Sequence, residues 1–120
     1  MTKFFNAFVF AFRGIGLMIR HDRNFKFHLF ALLCVVSLGI YLNIAAADWI
    51  TIILTSLLVL SLEAINAALE KLCDEITEER KESIRNIKDI AAGAVLISAI
   101  GAVAIAGFVF YPYLVACSCT

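Results

Sequence analysis

Three uncharged runs constrain this chain more than any other feature. Phe27 to Ala47 contains no Lys, Arg, Asp or Glu, and neither does Ile90 to Thr120. Roughly 20 apolar residues cross a bilayer as a helix, and both runs reach that length unaided. A third, Trp49 to Leu62, is also uncharged, and its apolar pattern continues past Glu63. It reaches spanning length only by carrying that carboxyl inside. The 120 residues are 62% hydrophobic, with a mean hydropathy of +0.94. A soluble fold of this size could not hide so much apolar surface. The expectation is one all-α membrane domain over residues 1–120, with transmembrane helices near 26–44, 48–71 and 89–112.

The N-terminal stretch does not read as a signal peptide, because Asn6 and Arg13 interrupt its apolar residues. Over residues 3–20, Phe4, Phe5, Phe8, Phe12 and Ile15 recur at steps of three and four, broken by Lys3, Asn6, Arg13 and Arg20. This predicts an amphipathic helix. It either lies in the membrane interface, with its rings among the acyl chains and its cations near headgroups, or packs on a partner.

The formal charge is zero, and no nucleic-acid partner is expected. The distribution of charge says more. All Lys and Arg fall between Lys3 and Lys26 or between Lys71 and Lys88; the link between the first two spans and everything after Lys88 have none. The positive-inside rule therefore places the N-terminus and the 72–88 loop in the cytoplasm. Cys34, in a span, and Cys73, facing a reducing compartment, are not expected to pair. Cys117 and Cys119 form either a frayed tail or an oxidisable, metal-binding pair.

In the third span Ala94, Ser98, Ala102 and Ala106 stand four apart, beside Gly93 and Gly101. Small residues at that spacing let helices approach closely, within one chain or between chains.

The stretch SLEAINAALEKLCDE, Ser61 to Glu75, places acids where lipid is expected. With about 100° per residue, and Glu63 at zero, Asn66 falls near −60°, Glu70 near −20° and Asp74 near +20°. These four share one narrow stripe, about 16 Å long, which scattered solubilising charge would not produce. Taking Trp49 as the outer interface, Glu63 sits about 21 Å into a core of about 30 Å. Glu70 and Asp74 then lie at or just beyond the inner surface. An ionisable group at Glu63's depth costs several kcal/mol unless sheltered, and such groups commonly mark function.

Other polar clusters converge on the same membrane face. RHDRNFKFH brings Asp22 to the start of the first span, and RNIKDIAAGA brings Lys88 and Asp89 to the start of the third. Carboxylates with interspersed cations suit a hard metal ion and phosphates. There is no P-loop or protein-kinase signature. His21 and His28 read as interfacial or packing residues rather than ligands.

EAINAALEKLCDE, followed by KDIAAGAVLISAI, resembles the small prokaryotic diacylglycerol kinases and undecaprenol kinases over nearly the whole chain. The resemblance implies a homotrimer of three-span protomers, each with an interfacial N-terminal helix. It implies active sites between protomers at the cytoplasmic face of the bacterial inner membrane. There the γ-phosphoryl of ATP passes to a lipid hydroxyl with Mg²⁺. By matching position, Glu63 would take the hydroxyl proton, and Glu70 would hold magnesium with Asp22, which stands where the family has a Glu. Lys88, Asp89 and Glu79 would contact the nucleotide, Asn66 and Asp74 would support the site, and Lys3 would reach toward the nucleotide. Arg80 and Lys81 replace the family's usual aromatic and His, and Ala67 follows Asn66 in place of Thr or Ser.

RNFKFH resembles the Gram-positive branch, whose members favour undecaprenol over diacylglycerol as the acceptor. Two readings from other classes stand beside the kinase. One is a small oligomeric transporter with Glu63 as a proton relay. The other is a non-catalytic membrane subunit.

Overall fold

The computed structural model describes residues 1–119. Its four helices are α1 (Thr2–His21), α2 (Arg23–Leu42), α3 (Ala46–Ile76) and α4 (Glu82–Ser118), and there is no strand among the described residues. All four are long and apolar enough, by length and composition, to cross a membrane. The N-terminal stretch, expected to be an amphipathic helix, is thus also of spanning length.

Each junction has a local cause. Asp22 separates α1 from α2 with an extended backbone, and its Oδ1 accepts from the Phe25 N–H at 2.7 Å. That is an N-cap bond, satisfying one of the donors a helix start leaves open. Asn43 ends α2 in the left-handed region, φ 53° and ψ 56°, a conformation Asn tolerates better than most residues.

The charged loop is shorter than the expected 72–88. α3 runs on to Ile76 and α4 begins at Glu82, so only residues 77–81 lie outside helix. Once a helix has formed, each further residue adds a hydrogen bond cheaply, so polar residues extend it beyond the apolar segment. α4 likewise continues through Pro112 to Ser118. Cys117 is therefore helical rather than frayed, and no disulfide forms among the described residues.

α3 packs most extensively on α4 and less on α2. The core lies at the end away from the basic residues, where Ile44, Ile52 and Phe110 are buried and Ala106, Trp49 and Tyr113 pack around them. Ala106, the last member of the small-residue stripe, thus serves packing within the chain. Tyr113 ties the same end together: its Oη accepts from the Ala45 N–H at 3.0 Å and donates to Asp48 Oδ2 at 2.5 Å. Gly39 is buried under Trp49, and a Cβ there would meet the indole at 2.7 Å.

The molecule measures 59 × 43 × 21 Å. Three helices side by side, at 8–10 Å between axes, make a slab about 30 Å wide. The additional width belongs to α1, which buries none of its residues and projects from the bundle.

Candidate active site

The acid stripe predicted on α3 is present, and its inner half is buried. Glu63 is 2% exposed and Asn66 4%. Ile52 and Val59 are buried on the same helix. Val59 stands four residues before Glu63 and Ile52 eleven before it, so both fall within about 40° of the same direction. One face of α3 therefore runs apolar from Ile52 to Val59 and acidic from Glu63 to Asp74.

Glu63 is held among polar groups rather than in hydrocarbon. The side chains of Asp22 and Asn66 lie within hydrogen-bonding reach of its carboxyl, and the Glu70 carboxylate is an electrostatic neighbour. Asn66 Nδ2 donates to Glu70 Oε1 at 3.3 Å, which links the buried and half-buried parts of the stripe. Asn66 Oδ1 is buried with no hydrogen-bond partner. A buried carbonyl oxygen left unpaired carries a desolvation penalty, and here it belongs to the side chain that neighbours both Glu63 and Glu70.

Glu63, Asn66 and Glu70 line a cavity of about 240 Å³ together with Asn24 and His28 from α2 and Val95 and Ala99 from α4. Three helices thus contribute to it, through residues other than Asp22, Lys88 and Asp89. Asn24 and His28 were not expected as site residues. Both come from RNFKFH, and their four-residue spacing puts them on one face of α2; that spacing was the available signal.

A second, larger cavity of about 750 Å³ opens at the charged end. Asp74 and Lys88 line it with the 77–82 segment and Arg85. Its size falls in the range of small-molecule sites. Lys88 Nζ and Asp74 Oδ1 are paired at 2.6 Å across α3 and α4. The Asp74 side chain is 69% exposed, so the pair adds little stability; what it fixes is the position of the ammonium group. Glu79 also lines this cavity, its N–H donating to Thr77 Oγ1 at 3.0 Å. Arg80, Lys81, Arg85 and Lys88 line the space together with the carboxylates of Asp74, Glu78, Glu79 and Glu82, so its walls carry both signs of charge.

Two predicted residues stand outside these bonded groups: Asp89 is exposed beside Lys88, and Lys3 is exposed near the start of α1.

Among the described residues, no three His, Cys, Asp or Glu side chains form a ready-made cage for a metal ion. Magnesium seldom uses such a cage. It binds one or two carboxylates and completes its shell with water and phosphate oxygens. The Glu70 and Asp22 carboxylates, beside the unpaired Asn66 Oδ1, fit that kind of ion.

The chain is similar to known proteins over most of its length. Residues 9–110 match the family described as prokaryotic diacylglycerol kinase. The chain is 36% identical over 114 residues to an undecaprenol kinase of Bacillus subtilis, covering 95% of this chain and 93% of that one. It is 36% identical over 109 residues to a diacylglycerol kinase of Synechocystis, covering 90% of this chain and 62% of the relative. It is 28% identical over 102 residues to the Escherichia coli K12 diacylglycerol kinase, covering 85% and 84%.

Proposed function

Because the chain belongs to the prokaryotic diacylglycerol kinase family, we propose that it transfers the γ-phosphoryl group of ATP to the hydroxyl of a membrane lipid, with undecaprenol favoured over diacylglycerol. One observation carries this reading. A single face of α3 runs from an apolar stretch, through buried Glu63, to Glu70 and the Asp74–Lys88 pair beside a cavity lined by charged side chains of both signs. A lipid alcohol does not leave the bilayer cheaply, and ATP does not enter it. A helix face that crosses the boundary lets them meet.

The 750 Å³ cavity receives the nucleotide. Lys88, held by Asp74, neutralises phosphate charge, and Glu79, Asp89 and Lys3 contribute to nucleotide binding. Glu70 and Asp22 hold Mg²⁺, which supplies charge neutralisation on the transferring phosphates. The lipid oxygen attacks the γ-phosphorus, its proton passes to the Glu63 carboxylate, and ADP departs with the electrons of the broken P–O bond. Asn66, donating to Glu70, keeps the two carboxylates in register. Phosphoryl transfer asks mainly for positioning and charge neutralisation, so this small group of residues is adequate.

The chain sits in the bacterial inner membrane with three spans, α2, α3 and α4. α1 lies along the cytoplasmic surface, supported by its projection from the bundle and its exposed Phe4, Phe5, Phe8 and Phe12. The wide apolar surface left on a single chain, including Ile97, Val103 and Phe108, supports assembly into a homotrimer in lipid. Incubating the purified protein with γ-labelled ATP and either undecaprenol or diacylglycerol tests the function. Label is expected in the lipid, more of it in undecaprenyl phosphate; label in neither lipid refutes the kinase.

A further inference from the structure

Directly beneath Glu63 lies a second space that the transfer of phosphate does not by itself explain. It is an apolar groove of about 200 Å³ between α2, α3 and α4. Its wall on α2 runs from Phe27 to Val35, and its wall on α3 from Ile52 to Leu60. The latter spans about 12 Å along the helix. Val59 and Ile52 form its floor, so the groove is the apolar continuation of the acid stripe.

Only two residues line both this groove and the Glu63 cavity, His28 and Ala99. His28 is the only one of the two with a polar side chain. It is half-buried at the point where hydrocarbon surroundings give way to carboxylates. A neutral imidazole can donate from one nitrogen and accept at the other. A hydroxyl arriving at the end of the groove would therefore find His28 on one side and Glu63 on the other.

The groove also discriminates by chemistry. Apart from His28, its only polar side chains are Thr55 and Ser56, and the Thr55 hydroxyl is already donated to the Thr51 carbonyl at 2.7 Å. A diacylglycerol carries two ester carbonyls and a second chain within a few bonds of its hydroxyl. Those carbonyls would be desolvated there with few donors, at a real cost. A prenol has one apolar chain and one hydroxyl, with no second polar group to satisfy.

Resting on the kinase reading above, we propose that His28 is a substrate-specificity residue: it hydrogen-bonds the hydroxyl of a single-chain prenol-type alcohol whose apolar chain lies in the groove beneath it. The occupant is the lipid rather than a helix of a second copy, because the groove shares the His28 and Ala99 walls of the cavity that holds Glu63.

Phosphoryl transfer in mixed micelles tests this, with the prenol and ATP varied separately for wild type, His28→Leu, His28→Gln and Ala102→Leu. His28→Leu raises the KM for the prenol about tenfold, the scale of one lost hydrogen bond, and leaves the KM for ATP within about twofold. His28→Gln, which keeps a donor and an acceptor, recovers most of the loss. Ala102→Leu, which narrows the groove, raises the prenol KM with the oligomer unchanged in size. An unchanged prenol KM in His28→Leu, or dissociation of the oligomer by Ala102→Leu with no effect on the prenol, overturns the inference; the second result would assign the groove to a neighbouring copy.

A measurement on unmodified protein covers variants that fail to fold. A diazirine-bearing prenol is expected to label residues 28–35 or 99–106 on photolysis; labelling confined to other segments overturns the inference. Groove labelling without phosphoryl transfer by the wild type would instead remove the kinase reading and leave the occupant standing.

Discussion

Glu63 and Glu70 stand on one face of one helix, seven residues apart, yet their surroundings differ. Glu63 is buried among Asp22, Asn66 and His28, whereas Glu70 is half-buried and takes the Asn66 amide. Different surroundings imply different losses on substitution. Glu63→Gln should reduce kcat by at least about a hundredfold, the scale of a missing general base, while nucleotide binding stays within about twofold. Glu70→Gln should weaken magnesium–nucleotide binding as well as turnover. Equal, undiminished nucleotide affinity in both variants would contradict these roles, and calorimetric titration with the magnesium nucleotide reads it directly. Asp22 is open to a cleaner dissection, because it both caps α2 and faces Glu63. Asn is as good an N-cap as Asp. Asp22→Asn should therefore keep the melting temperature and lose magnesium affinity, whereas Asp22→Ala should lose both, with a stability loss of about 1 kcal/mol.

At the scale of elements, the long apolar helices and the face of α3 were legible from the sequence, since uncharged length and 100° periodicity determine them. The helix ends were less so. The predicted segments 48–71 and 89–112 became Ala46–Ile76 and Glu82–Ser118, because hydropathy locates the lipid-facing part of a helix and not where its hydrogen bonds stop. Asn24 was not singled out, and His28 was read as an interfacial or packing residue, for a related reason: their place beside Glu63 depends on α2 facing α3, and no single-helix pattern contains that. The clamp at the end away from the basic residues was equally invisible, since Tyr113 reaches Ala45 and Asp48 across more than sixty residues of chain. Tyr113→Phe removes the bond to Asp48 and leaves the Ala45 N–H unpaired. It should cost about 1–3 kcal/mol, seen as a lower melting temperature in detergent. Gly39→Val should destabilise by a similar margin of about 1–3 kcal/mol, because the indole of Trp49 occupies the space a side chain needs. A red-shifted Trp49 emission, Trp49 being the sole Trp, would accompany that loss, and an unshifted spectrum with an unchanged melting point would contradict the packing described.

The whole molecule is a slab of three helices with a fourth projecting from it, and it buries few of its own side chains. Such a surface is suited to lipid and to further copies of itself. On the function proposed above, the order along α3, apolar and then acidic, would put the chemistry at the boundary between lipid and water. That order is the central claim, and label transfer from γ-labelled ATP to undecaprenol in vesicles, wild type against Glu63→Gln, tests it most directly. The account predicts labelled undecaprenyl phosphate from the wild type and almost none from the variant, with nucleotide bound equally by both. Undiminished transfer by Glu63→Gln, or none by a folded wild type to either lipid, would contradict it.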